Sequence, residues 1–140
     1  MQQRLDGGKM KTFEVVLNKS INSLEFGVDR KTVRKEFGRK YKEIKKNVFS
    51  KSTTDAYDGF HVFYSEDDKL EAIEIFSGKV LIEGKEIFPG TIDEAKNLIK
   101  GLKKSDYGYI SKDKSVGITE SDLKDGKIEA ILLGCEGYYG

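Results

Sequence analysis

His61 and Cys135 are the two side chains of this sequence whose types most often act as a base or a nucleophile. His61 is the only histidine, so the sequence offers neither a second imidazole for a proton relay nor a set of histidine ligands for a metal. Two interpretations of His61 are open: a base that acts together with Asp55 or Asp58, or a structural residue of a strand. Cys135 has no basic neighbour in the sequence that would favour a thiolate, which predicts an unreactive thiol.

Glu66, Asp67 and Asp68 form an acidic run of a kind that binds calcium in some loops. A calcium loop needs oxygen ligands at alternating positions with a glycine and a distal glutamate, and that pattern is missing here. The glycines also lack the spacing of phosphate-binding loops. The sequence therefore predicts no metal site, no cofactor and no enzymatic activity, and we expect the acidic run to be a solvated turn.

The segment from Arg30 to Lys51 carries ten basic and two acidic residues, a net charge of +8. Three interpretations are open: a solvated face, a protein-binding patch, or a patch that neutralises phosphates while Tyr41 stacks on a base. The pI of about 7.7 is low for a dedicated nucleic-acid-binding domain. The candidate nucleic-acid-binding residues are Arg30, Arg34, Lys35, Arg39 and Lys42.

The segment from Asp55 to Glu94 has the opposite sign, with eleven acidic and three basic residues, a net charge of −8. The two segments can attract each other within the fold, or the acidic one can dock on a basic protein, for which nearby aromatic rings would supply anchors. The alternative is that some of these rings belong to the core. The candidate partner-binding residues are Asp55, Tyr57, Asp58, Phe63, Glu66, Asp67, Asp68 and Glu71.

The overall composition predicts one globular domain. A chain of 140 residues with eight Phe and seven Tyr can bury a sizeable core. Its single cysteine excludes an intramolecular disulfide and favours a reducing compartment. No apolar run is long enough to cross a bilayer and no signal peptide is apparent, so we expect a cytoplasmic protein without membrane contact. Residues 1–10, with Gly7-Gly8, are expected to be a flexible tail, and residues 11–140 the domain.

The first half of the domain contains clear element signals. Residues 12–17 are rich in β-formers, and Asp29 is a good N-cap for a helix over residues 30–37 that stops at Gly38. Residues 41–50 are ambiguous, since the same pattern fits a helix or a lysine-rich edge strand. The apolar residues of 60–64 and 70–76 predict a hairpin with an acidic turn.

The second half repeats this order with a stronger helix signal. Thr91 and Glu94 have the spacing of a capping box, and apolar residues at helical spacing continue to Leu102. Short strands are expected over residues 107–110 and 116–119, and a longer one over residues 127–133.

The two halves share a sequence pattern, which predicts an internal duplication. Residues 69–75 (KLEAIEI) return as residues 127–133 (KIEAILL), 58 positions later, and the two helix starts lie 62 positions apart. The expected repeats span residues 12–78 and 79–134. We therefore predict an α+β fold in which repeated strand–helix–hairpin units form one curved antiparallel sheet with two helices on one face.

Residues 24–38 (LEFGVDRKTVRKEFG) resemble the helix-start pattern of small bacterial domains of the outer-membrane assembly lipoprotein and β-lactamase inhibitory protein types. The second type is a tandem helix-plus-hairpin repeat whose concave sheet grips an enzyme. In size and layout the chain also resembles cytosolic immunity proteins paired with secreted toxins. It departs from the periplasmic types in having no disulfide, signal peptide or lipid-anchor cysteine. No catalytic or binding residue transfers, because these folds share no site motif.

The resemblance and the acidic, aromatic hairpin together imply a protein-binding inhibitor or immunity protein that neutralises a toxin or enzyme by covering its surface. The alternative is a nucleic-acid-associated protein that binds through residues 30–46. The sequence leaves the oligomeric state open.

Overall fold

The computed structural model describes residues 11–45 and 47–140, so the tail predicted over residues 1–10 lies outside the described part of the chain. The described residues form an α+β protein made mostly of strands, with two sheets and two short helices. None of the helices in these ranges is long and apolar enough to cross a membrane.

The smaller sheet has five strands: β1 (Thr12–Val16), β2 (Ser20–Ile21), β3 (Leu24–Glu25), β8 (Lys79–Ile82) and β9 (Lys85–Phe88). Their order in the sheet is β3-β2-β1-β8-β9. Strand β1 alternates exposed and buried residues, which gives it one core-facing side. It pairs antiparallel with β2 but parallel with β8, so this sheet is mixed.

The larger sheet has eight antiparallel strands and consists of two meanders, one from each half of the chain. The first meander consists of β4 (Lys42–Ile44), β5 (Thr54–Tyr57), β6 (Phe60–Tyr64) and β7 (Leu70–Ile75). The second consists of β10 (Lys103–Lys104), β11 (Gly108–Ser111), β12 (Val116–Glu120) and β13 (Ile128–Gly134). The meanders meet where β7 pairs with β13, so the strand order is β10-β11-β12-β13-β7-β6-β5-β4.

The prediction of one continuous antiparallel sheet is wrong. The first strands of the two halves pair with each other in the smaller sheet, and the smaller sheet packs against the larger one. The rings of Phe13 in β1 and Phe60 in β6 lie 5.1 Å apart, edge to face. The alternation in β1 predicts which side is buried, but the pairing partner lies more than sixty residues away and leaves no mark on the local pattern.

The helices follow the predicted capping signals. Helix α1 (Arg30–Phe37) starts after Asp29, whose carboxylate accepts from the Thr32 N–H, and ends at Gly38. Helix α2 (Ile92–Leu98) has the predicted capping box. It is one turn shorter than the apolar periodicity suggests, because the chain is extended at Ile99, which stays in the core without continuing the helix.

Both helices lie on one face of the eight-stranded sheet, which we call the inner face. The ring of Phe37 in α1 lies 4.9 Å from that of Phe60, and Lys96 in α2 lies 4.4 Å from the ring of Tyr109. The rings of Phe60 and Tyr109 belong to one row of paired residues across the sheet, formed by Phe60, Ile75, Ile131, Ile118 and Tyr109. The core lies between this face, the helices and the five-stranded sheet.

The ambiguous segment at residues 41–50 contains an edge strand and a turn. Strand β4 pairs with β5, and all three of its residues are exposed, as expected at the end of a sheet. The turn runs from Asn47 to Ser50. Residue 46 lies outside the described residues.

Each helix is tied to its meander in the same way. The α1 N-cap, Asp29, forms an antiparallel bridge with Lys69, and the α2 N-cap, Thr91, forms one with Lys127. The two N-caps are 62 positions apart and the two lysines 58, which are the offsets found in the sequence.

Candidate protein-binding site

The face of the eight-stranded sheet opposite the helices, which we call the outer face, carries aromatic and acidic side chains. The strand neighbours of the inner-face row belong to this face, because successive residues of a strand face opposite sides of the sheet. They form a row across five strands: His61, Glu74, Leu132, Gly117 and Ile110. A second row contains Phe63, Ala72 and Gly134. In an antiparallel sheet such rows place side chains from neighbouring strands in contact, so the outer face is one continuous surface.

The C-terminal residues pack onto this surface at two glycines. A Cβ at Gly134 would lie 2.7 Å from the ring of Tyr138, and one at Gly117 would collide with the hydroxyl of Tyr139. The rings of Tyr138 and Tyr139 lie 5.1 Å apart, edge to face. The missing Cβ atoms at these two positions let both tyrosine rings lie on the sheet.

The environment of these tyrosines is apolar and negatively charged. Burial, followed by the charges of Glu71 and Glu74, raises the pKa of Tyr138. Burial, Tyr138 and Glu74 together raise the pKa of Tyr139 to about 12. The two glutamates therefore lie close to the tyrosine rings, and the outer face combines aromatic surface with carboxylates.

A groove of about 360 Å³ opens where the outer face meets the loop before β5. Its floor is formed by strand residues Phe63 and Glu71 with Tyr138 from the C-terminus, and its far wall by residues 49–54. Lys51 and Glu66, both exposed, form an ion pair of 3.3 Å between that wall and the β6–β7 turn. The groove is thus lined by rings, carboxylates and hydroxyl groups.

Phe49 stands at the rim of this groove with 87% of its surface exposed. The turn that presents it is held by Asn47, whose side-chain oxygen accepts from the Phe49 N–H at 2.8 Å. Ser50 closes the same turn, its Oγ accepting from the Asn47 N–H. An exposed ring on a hydrogen-bonded turn is a typical anchor for a protein partner, since it can be buried without first ordering the backbone.

An ion-pair cluster around a buried aspartate supports the wall of the groove. We use this name for Arg30, Arg34, Glu43, Asp55 and Asp68. The Arg30 guanidinium, almost fully buried, donates to Asp68 at 2.8 Å and to Asp55 at 3.3 Å. It also donates to the hydroxyls of Ser52 and Thr53, which lie in the groove wall. The cluster thereby fixes this loop to helix α1.

Asp55 is the centre of the cluster and is fully buried. Its carboxylate accepts a bidentate pair from Arg34 at 2.8 and 2.9 Å, a third bond from Arg30 and a fourth from the Tyr64 hydroxyl. Four donors fill the acceptor sites of one carboxylate, which offsets much of the cost of its burial. The bond and charge of Asp55 raise the pKa of Arg34, while burial followed by the Asp55 hydrogen bond raises that of Tyr64.

Glu43 is the member of the cluster that should make the stability of the protein depend on pH. Hydrogen bonds from Thr53 and then Arg34 lower the pKa of Glu43 below 4.5. Since this pKa is lower in the folded state, its contribution to stability is present above the unfolded pKa and is lost as the pH falls through the folded pKa. We expect Glu43→Gln to flatten the decline of unfolding free energy below about pH 4.5, measured by urea unfolding from pH 3 to 7. Glu36→Gln is the control, and an unchanged slope in Glu43→Gln would contradict the expectation.

The structure separates the predicted partner-binding residues into three groups. Phe63, Glu66 and Glu71 line the groove, and Asp67 is exposed in the turn beside it. Asp58 is exposed at the opposite end of β6. Of the remaining three, Asp55 is fully buried and Asp68 is largely exposed, and both belong to the ion-pair cluster, while Tyr57 stacks on Phe60 in the core.

The predicted nucleic-acid-binding residues divide in a similar way. Arg30 and Arg34 are held by carboxylates of the cluster, and the Arg34 guanidinium lies 4.1 Å over the ring of Tyr41. The other three, Lys35, Arg39 and Lys42, are exposed. The two oppositely charged segments of the sequence therefore partly neutralise each other inside the fold.

Phe49, Phe76 and the two C-terminal tyrosines are not among the residues that the sequence predicts for a site. Phe76 lies at the end of β7 with its ring 4.8 Å from that of His61, edge to face. Among the described residues, no group of three or more histidine, cysteine or acidic side chains is placed to hold a metal ion. Burial and then the charge of Glu71 raise the pKa of Cys135, which disfavours its thiolate.

Comparisons with protein-family models, with curated proteins and with solved structures find no match to this chain.

Proposed function

We propose that this protein is a bacterial immunity or inhibitor protein that neutralises a toxin or enzyme by covering part of its surface. The observation that carries the proposal is the groove, where Phe49 from the loop before β5 and Tyr138 from the C-terminus lie together with Glu71 of the eight-stranded sheet. Aromatic anchors surrounded by polar groups are typical of interface hot spots. The protein needs no chemistry of its own for this function.

The charge of the site favours a basic partner surface. Glu66, Asp67 and Glu71 lie at or beside the groove, and Glu74 lies on the adjoining outer face. Complementary charges speed association and disfavour wrong partners. A stable complex buries about 800 Å² on each side, so the partner would extend beyond the groove across the outer face.

We further propose that the two halves arose by duplication and then diverged. The matching bridges from each helix N-cap to a lysine that immediately precedes a strand support this proposal. At the helix offset of 62, Ile92 stands at the position of Arg30 and Lys96 at that of Arg34, so the second half carries no matching ion-pair cluster. Phe49 precedes the second strand of its meander, β5, and Tyr107 precedes the second strand of the other, β11. The groove would then be a specialisation of the first half.

The test is co-expression of this chain with the product of the gene immediately upstream, followed by purification and a toxicity assay. A stoichiometric complex that relieves toxicity would support the proposal, particularly if the double variant Phe49→Ala, Glu71→Arg loses both properties. If the upstream product shows neither toxicity nor binding, the immunity function is rejected. The triple variant Lys35→Ser, Arg39→Ser, Lys42→Ser is the control and should retain the complex.

One observation favours the nucleic-acid alternative. Six exposed basic residues lie in helix α1, in strand β4 and in the segments next to them: Lys31, Lys35, Arg39, Lys40, Lys42 and Lys45. If this surface binds nucleic acid, the same triple variant should reduce the slope of log affinity against log salt by about two to three. Unchanged binding of single-stranded DNA by the triple variant would reject the alternative.

A further inference from the structure

We infer that the groove binds an arginine side chain of the partner protein, with its guanidinium between Glu71, Glu66 and the aromatic floor. This inference rests on the proposed function and specifies the chemistry of its site. The guanidinium is planar, carries five donors and stacks on aromatic rings, so it suits a site that offers carboxylates, hydroxyls and ring faces together. The groove offers all three.

The fold already binds guanidinium groups in this manner next to the groove. Arg30 lies 3.9 Å over the ring of Tyr64 while it donates to Asp68 and to the hydroxyls of Ser52 and Thr53. Ser52, Thr53 and Tyr64 also line the groove. The loop that contains Ser52 and Thr53 therefore contacts the Arg30 guanidinium on one side. On its other side it lines the groove, which offers similar groups to a ligand.

A cation of the chain itself already stands at the rim. The ammonium of Lys51 lies 3.3 Å from Glu66, and both side chains are largely exposed. An exposed pair of this kind contributes only about 0.2 to 1 kcal/mol, so an incoming guanidinium can displace it. Lys51 thus acts as a weak internal competitor for the position that the partner's arginine would take.

Glu71 distinguishes this position from an ordinary acidic surface. It is half-buried on the sheet beside Tyr138, whereas Glu66 and Asp67 are exposed in the turn. Hydrogen bonds that involve a charged group gain strength when partly shielded from water. We therefore expect Glu71 to contribute more to arginine binding than either residue of the turn.

The experiment titrates the whole protein with the peptide acetyl-Gly-Arg-Gly-amide and follows backbone amide shifts by NMR. Saturable shifts confined to residues 49–54, 63–66, 71 and 138 are expected, with a dissociation constant in the millimolar range. The matched peptide with citrulline, which has the same shape without the charge, should not bind. Equal binding of the two peptides would overturn the inference.

Three variants test the assigned roles. Glu71→Gln should weaken arginine-peptide binding about tenfold, as loss of a charged hydrogen bond implies, and the control Glu25→Gln should not change it. Lys51→Gln should tighten binding about two- to fivefold by removing the competitor. Binding that is insensitive to both Glu71→Gln and Lys51→Gln would overturn the inference.

The outcomes for the proposed function and for this inference are separable. Specific arginine-peptide binding without an upstream partner complex would retain the groove assignment and reject the immunity function. A partner complex whose affinity is unchanged in Glu71→Gln would retain the protein-binding function and reject the arginine site.

Discussion

Replacement of Asp55 by asparagine is expected to lower the free energy of unfolding by about 3 to 5 kcal/mol. The fully buried carboxylate accepts from Arg30, Arg34 and Tyr64, and an amide cannot accept from all of these donors. Its removal also leaves Arg30 and Arg34 with only the more exposed carboxylates of Asp68 and Glu43 as counter-charges. Urea unfolding measures the loss directly, and thermal unfolding should show a midpoint lower by on the order of 10 °C.

The control for this prediction is Asp58→Asn. Asp58 is exposed in the β5–β6 turn, three residues along the chain, and its change should stay within about 0.5 kcal/mol. Tyr64→Phe provides an intermediate case, because it removes one hydrogen bond to Asp55, and should cost about 1 kcal/mol. A loss below 1 kcal/mol in Asp55→Asn would show that the cluster contributes little to stability.

The same cluster explains why local sequence patterns could not identify the site. Arg30 and Asp68 are 38 residues apart, and nothing in the local sequence of either marks the other as its partner. From their charges alone, Asp55 is a candidate for the protein-binding surface and Arg30 for the nucleic-acid-binding surface. In the fold their charges are satisfied by each other, which is the usual condition for burying an ionised side chain.

The helix starts could be predicted because their signals are local. Asp29 and Thr91 each accept from an N–H within three residues, so a short stretch of sequence contains both partners. Strand pairing lacks such a signal, and the parallel pairing of β1 with β8 was missed for that reason. The packing of Tyr139 was missed because it depends on Gly117, which pairs with Leu132 in the middle of the sheet.

The ion-pair cluster also links the stability of the protein to the geometry of the groove. The hydroxyls of Ser52 and Thr53 accept from Arg30, and Thr53 donates to Glu43 at 2.7 Å. Strand β5 then begins at the next residue, so the loop is fixed at its C-terminal end. The turn that carries Phe49 is fixed separately by Asn47. The site is therefore held on both sides before any partner arrives, which lowers the entropy lost on binding.

Phe49→Ala is expected to weaken the partner complex by about thirtyfold or more while leaving the stability of the free protein unchanged. An exposed aromatic anchor that is buried on binding contributes about 2 kcal/mol or more, which corresponds to that loss of affinity. Since 87% of its surface is exposed, Phe49 makes little contribution to the core, and the free energy of unfolding should stay within about 0.5 kcal/mol. Calorimetric titration with the co-expressed partner measures the affinity.

Tyr107→Ala is the matched control, because Tyr107 is also an aromatic residue in a connection between two strands of the eight-stranded sheet, with 82% of its surface exposed. It lies in the β10–β11 turn, at the far end of the eight-stranded sheet from β4. If the groove of the first half is the interface, Phe49→Ala loses affinity and Tyr107→Ala does not. The reverse pattern would move the interface to the second half, and equal losses would indicate that the partner spans both ends of the sheet, which contradicts a site centred on the groove.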